Sequence, residues 1–92
     1  MSEEVTRTVT VVNRLGIHAR AAAKFVTLAS RFDAEIQVRN SRRAVNGKSI
    51  MGVMMLAAAR GTRIELLARG PEAASAVEEL VRLVTDRFGE EE

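Results

Sequence analysis

From Val5 to Val12 the chain reads Val-Thr-Arg-Thr-Val-Thr-Val-Val. β-Branched side chains are stiff at χ1 and suit a pleated strand better than a helix, so this stretch predicts a first strand. Asn13 to His18 interrupts the pattern. From Ala19 to Phe32, apolar Ala22, Phe25, Val26 and Ala29 recur at steps of three and four, the stripe of a helix with one buried face. Ala34 to Arg39 alternates apolar and polar without a fault and predicts a strand with one wet face. Asn40-Ser41-Arg42 forms a polar turn into a short edge strand, Arg43-Ala44-Val45, ending at Asn46-Gly47, residues that tolerate positive φ. Ser49 then stands as N-cap before a second helical stripe of Ile50, Val53, Met54 and Ala57. Thr62 to Arg69 sets Ile64, Leu66 and Ala68 on one strand face, with Leu67 the single mismatch. Gly70-Pro71-Glu72 places proline at the first helical position and a carboxylate in the first turn. The stripe Ala73, Val77, Leu80, Val84, Phe88 predicts a third helix closed by a left-handed Gly89, with Glu90-Glu91-Glu92 a frayed, solvated tail.

The order is β-α-β-β-α-β-α with no repeat or linker, which predicts an α+β fold whose helices cover one face of an antiparallel sheet. Ninety-two residues make one domain spanning residues 1–92, with its core over about 5–88. A chain this short hides only about 60 per cent of its unfolded surface, which leaves little material for a deep active-site cavity. Its 14 Lys plus Arg against 12 Asp plus Glu give a net charge of +2, a weak grip on any polyanion. No cysteine is present, so disulfides and thiolate metal sites are excluded, in keeping with a cytoplasmic address. Met1-Ser2-Glu3-Glu4 has neither the basic start nor the apolar stretch of a secretory signal, and the mature chain is expected to begin there. The longest near-apolar run, Ile50 to Ala59, is ten residues where a membrane-spanning helix needs about 20.

His18, the single histidine, falls where the first helix begins. Helix-start amides point outward unpaired and carry about half a positive charge, so an anion is stabilised there. The same field disfavours an imidazolium and leaves a nitrogen lone pair available as a nucleophile toward phosphorus. Arg20 adds a planar set of donors suited to phosphate oxygens. On these residues alone, a cap or ordinary surface role for His18 stays open. A metal site does not, because one histidine without cysteine cannot supply three or four ligands. Gly47-Lys48-Ser49 matches the end of a nucleotide-binding loop, but Arg42 stands where the earlier glycine is required. Ser49 then reads either as a helix cap or as a phosphorylation site, whose added charge the helix start accommodates. Ile50, Met51, Met54 and Met55 are more apolar volume than one side of a short helix buries, so they either crowd the core or form an adaptable docking patch. Arg39, Arg42 and Arg43 could touch nucleic acid, but without Trp or Tyr no stacking platform accompanies them.

Two segments, Asn13 to Arg20 and Gly47 to Leu56, together resemble the signature segments of the HPr family, histidine-containing phosphocarriers of the bacterial phosphoenolpyruvate-dependent phosphotransferase system. The resemblance runs from about Val5 to Phe88. It implies an open-faced β-sandwich with strand order 1-4-2-3 and a monomeric phosphoryl carrier rather than an enzyme, without cofactor or metal. It also implies that His18 accepts phosphate on Nδ1 from Enzyme I and passes it to a IIA protein or domain, with Arg20 steadying the group. Ser49 corresponds to the serine modified by HPr kinase/phosphorylase, and Ile50, Met51 and Met54 to the docking surface. Nucleic acid and membrane insertion are not implied. Ala21 replaces the family's usual proline, which restores one helix-start amide. A regulatory module of a nitrogen-related branch is the alternative, and a small RNA-binding domain a more distant one.

Overall fold

The computed structural model describes residues 4–92. The elements run β1 (Glu4–Thr10), α1 (Ala19–Ala29), β2 (Glu35–Arg39), β3 (Ala44–Asn46), α2 (Ile50–Met55), β4 (Arg63–Arg69) and α3 (Ala73–Thr85), followed by a 3-10 turn at Arg87–Gly89. All strand pairs are antiparallel, in the order β1-β4-β2-β3. The expected α+β architecture and strand order are both present.

Strand alternation divides the sheet. Val9, Ile36, Val38, Ile64, Leu66 and Ala68 are buried beneath the helices, where they meet Ala22 and Phe25 of α1, Val53 of α2, and Val77 and Leu80 of α3. Many helix contact positions are alanine (Ala21, Ala22, Ala29, Ala73, Ala76), which suits close approach of backbone to sheet. The other sheet face is bare. Leu67, the one break in the β4 alternation, lies on it, paired in register with Thr6 and Gln37. Arg39 pairs there with Glu65, its register partner, so part of the expected basic cluster is engaged within the sheet.

Several boundaries differ from expectation, each for a local reason. α2 ends at Met55, and Ala57 leaves the stripe for a left-handed φ of 50°, exposed beyond the helix. The Asn46-Gly47 turn uses no positive φ among its residues. Glycine is needed there because a Cβ on Gly47 would lie 2.5 Å from Ile36 Cγ2. α3 starts at Ala73, so Pro71 precedes the helix, and Glu72 caps nothing with its side chain. Glu72 Oε1 instead accepts from the Asp33 amide at 2.7 Å and ties the entry of α3 to that of β2.

The largest departure is at the C-terminus. Phe88 is not on the α3 stripe. After the helix ends, Arg87 (φ 57°), Phe88 (φ 54°) and Gly89 (φ 79°) turn the chain back while the Phe88 ring is fully buried. Lys24 Nζ of α1 donates to the Phe88 carbonyl at 2.7 Å. The tail, expected to fray, is docked: the Arg14 amide donates to the Glu92 carbonyl, and Arg14 Nε lies 3.3 Å from Glu92 Oε2. Acidic residues find Arg14, His18 and Lys24 at this end of the sandwich, and the buried phenyl ring anchors the turn that brings them there.

Candidate functional site

The loop from β1 to α1 is built by one glycine and one buried amide. Gly16 sits at φ 69°, and a Cβ there would lie 2.5 Å from Ala58 O, so no other residue lets the loop press against the segment after α2. That closeness allows the Ile17 amide to donate to Ala58 O at 2.9 Å. Asn13 is fully buried, and its Nδ2 donates to Gly16 O at 2.8 Å and to Glu90 Oε1 at 2.9 Å. Both partners are acceptors only, so the amide has a single orientation.

His18 is the N-cap of α1, in extended backbone conformation (φ −82°, ψ −178°). Its carbonyl accepts from the Ala22 amide at 2.8 Å, while its ring Nδ1 accepts from the Arg20 amide at 3.3 Å. Ring Nε2 donates to Glu90 Oε2. A backbone amide can only donate and a carboxylate only accept, so the two partners together select one form of the ring: neutral, with the proton on Nε2 and the lone pair on Nδ1. The side chain is 28 per cent exposed, neither sealed in the core nor turned from the helix amides. The hydrogen bond from Asn13 does most to hold the Glu90 carboxyl below its ordinary range. Burial works against it, and the hydrogen bond from His18 and the charge of Lys24 add to the lowering.

His18, Arg20, Arg14, Leu15 and residues 90–92 line an open depression of about 440 Å³. A larger one, of about 530 Å³, lies on the bare sheet face around Gln37, Asn46 and Arg69, and no histidine, serine or threonine is among its lining residues. The geometry therefore gathers His18 and Arg20 as expected and adds Asn13 and Glu90, which the sequence reading missed. Asn13 carried a weak signal, a polar residue directly after Val11 and Val12, the two apolar positions that end the expected first strand. Glu90 carried none, because 72 residues separate it from His18.

Ser49 lies outside this group. It is half-buried as the N-cap of α2, its Oγ accepting from the Gly52 amide at 3.0 Å. The amides of Gly47-Lys48-Ser49, whose match to a nucleotide-loop ending already lacked the earlier glycine, are spent within the protein: Gly47 on Ile36 O, Lys48 on Asn46 Oδ1 and Ser49 on Asn46 O. Lys48 Nζ donates to Phe32 O at 2.8 Å. Nothing there is left to wrap a phosphate. Ile50, Met51, Met54 and Met55 are all exposed, Met51 to 70 per cent and Leu15 of the His18 depression to 63 per cent. This decides between core and surface for the methionine group. Among the described residues no cluster of potential metal ligands occurs, and no helix is long and apolar enough to cross a membrane.

A small open-faced sandwich that offers one imidazole at a surface helix start, in an open depression, fits the class of group carriers. The family profile described as the PTS HPr component phosphorylation site matches residues 5–86. The phosphocarrier protein HPr of Pseudomonas aeruginosa is 49% identical over 85 residues, which cover 91% of this chain and 94% of that one. The phosphocarrier protein NPr of Shewanella violacea is 40% identical, over 95% of this chain and 96% of its own. Among solved structures, HPr-C-His from Thermoanaerobacter tengcongensis superposes with a TM-score of 0.89 at 42% identity, covering 98% of this chain and 99% of that one. The chain belongs to the HPr family of phosphotransferase-system phosphocarriers.

Proposed function

We propose that His18 accepts a phosphoryl group on Nδ1 from phosphorylated Enzyme I and hands it to a IIA protein or domain, the protein acting as a cytoplasmic monomer without cofactor. The observation that carries this reading is the ring's own hydrogen bonding, which leaves the Nδ1 lone pair facing the start of α1. Attack by Nδ1 on phosphorus makes the N–P bond, and the bond to the donor's nitrogen breaks with its electron pair. The Arg20 amide, no longer bonded to that lone pair, is then placed to donate to a phosphoryl oxygen, and the Arg20 side chain lines the same depression. Few ligands hold the group, which suits a carrier that must release it. Exposed Ile50, Met51 and Met54 supply an adaptable apolar surface for Enzyme I and the IIA acceptor in turn. Ser49 is the regulatory site for HPr kinase/phosphorylase, since phosphate there would place negative charge beside that docking surface. Likeness to an NPr supports a second reading, in which the same transfer serves a regulatory branch without sugar transport.

Incubation with phosphoenolpyruvate and Enzyme I, followed by intact mass measurement, tests the transfer. One acid-labile, base-stable phosphate is expected, absent from His18→Ala. An acid-stable adduct, or labelling that survives His18→Ala, overturns it.

A further inference from the structure

The docked tail leaves the ring with a carboxylate partner, and the direction of that bond has a chemical consequence. When Nδ1 attacks phosphorus, the neutral ring already carries its proton on Nε2, so forming the N–P bond makes a cationic, Nε2-protonated phosphoimidazole. If that proton is kept, onward transfer returns the electron pair to Nδ1 and expels a neutral imidazole. If it is lost to solvent, the leaving group is an imidazolate, a far poorer one, and the phosphoryl group is stranded. Charged groups around the ring are Arg14 in the β1–α1 loop, Arg20 and Lys24 on α1, and Glu90, Glu91 and Glu92 in the tail. The three cations work against a protonated ring. Of the three carboxylates, only Glu90 touches it, and Glu90 is itself fixed from behind by buried Asn13.

We infer that Glu90 is a positioning residue of the phosphotransfer site: bound to Nε2–H and braced by Asn13, it keeps the ring proton in place through phosphorylation and release, so that His18 leaves phosphorus as a neutral imidazole. No proton has to enter or leave the site during either transfer. This rests on the reading of His18 as the phosphoryl acceptor. The carboxylate reaches the Nε2 edge of the ring and leaves the Nδ1 edge to the α1 amides, so the phosphoryl group and Glu90 occupy opposite sides of the imidazole. Glu90 is 19 per cent exposed on its side chain, dry enough for the contact to be stronger than an ordinary surface pair and wet enough for the tail to dock without a large desolvation cost.

The test follows phosphoryl transfer from the phosphorylated full-length protein to its IIA acceptor as a function of pH, for wild type, Glu90→Gln, Glu90→Asp and Glu91→Gln. The nitrogen-15 spectrum of the phosphorylated ring is recorded alongside. For Glu90→Gln, the alkaline fall in rate is expected to move to lower pH by about half a unit, with transfer on that limb slowed several-fold, as suits a partly exposed charge pair. The Nε2–H signal should exchange faster. Glu90→Asp should recover part of the shift, and Glu91→Gln, which removes the same charge from the depression without a ring contact, should move the profile much less than Glu90→Gln does. A Glu90→Gln profile that superposes on wild type refutes the inference, as does an equal shift in Glu91→Gln, which would reduce the effect to net charge. If wild type takes no phosphate from Enzyme I, the reading of His18 fails first, and the mass measurement reports that separately.

Discussion

Replacing Asn13 by aspartate changes one NH2 group into an oxygen inside a fully buried site and alters almost no volume, so its effect isolates the polar network from packing. In the wild type, Nδ2 satisfies Gly16 O and the Glu90 carboxylate at once, while Oδ1 has no hydrogen-bond partner among the described residues. An aspartate would turn oxygen toward both acceptors and bring a second negative charge against Glu90. Two unit charges about 4 Å apart repel by about 4 kcal/mol at the effective dielectric of a protein edge. The protein escapes part of this by taking up a proton. For a carboxyl with an unfolded pKa of about 3.9, remaining protonated at pH 7 costs about 4 kcal/mol, which caps the charge penalty. We expect Asn13→Asp to lose about 3 to 4 kcal/mol at pH 7, a large share of the ~5 to 15 kcal/mol of a domain this size. The introduced carboxyl has a folded pKa raised above its unfolded one, so the penalty is absent below about pH 4, where both states are protonated, and grows as pH rises. Urea denaturation at pH 4 and pH 7 measures it. A loss below about 1 kcal/mol at pH 7, or a loss independent of pH, would show that Asn13 does not hold the carboxylate as described.

Glu90 in the wild type has the opposite slope. Its pKa is lowered in the folded protein, so the stability it contributes is complete above its unfolded pKa of about 4.3 and disappears as pH falls through the folded value. Hydrogen-exchange protection at the Arg14 amide, which donates to Glu92 O, should therefore be lost in acid before that of the core amides, and simultaneous loss of both would count against local release. At the other motif, Ser49→Ala should cost about 1 kcal/mol by removing the α2 cap and should abolish any acid-stable phosphate added by HPr kinase/phosphorylase with ATP. A neutral effect on stability would contradict the cap, and undiminished labelling would contradict the assignment of the site.

What could be read in advance was whatever repeats along the chain. Strand alternation at Ile64, Leu66 and Ala68 and the α1 stripe around Phe25 each report a buried face through their period, and all four residues are buried. Ends of elements are set by single backbone events that leave no period. Ala57 turning left-handed after α2 is one of them, and the Arg87-Phe88-Gly89 reversal is another. Phe88 kept the spacing of α3 by coincidence, since it is buried by a turn rather than by the helix. That error hid Glu90, because a helix continued through Phe88 points the following glutamates into solvent. His18 and Arg20 were legible because both belong to one helix start, whereas Asn13 and Glu90 meet only once the sheet and α3 are packed.

The same separation in sequence bears on how the site is timed against folding. A ring held only by its own helix would be oriented as soon as α1 formed. Here the Nε2 contact needs β1 to bury Asn13, α3 to pack on the sheet and Phe88 to seat under the turn before Glu90 can arrive. The tautomer of His18 is thereby tied to completed tertiary structure, while the Nδ1 side, served by a local amide, stays open. A rigid rear contact and an open front satisfy the two demands on a carrier, which must keep its reactive atom in one chemical form and still present it to proteins of different shape.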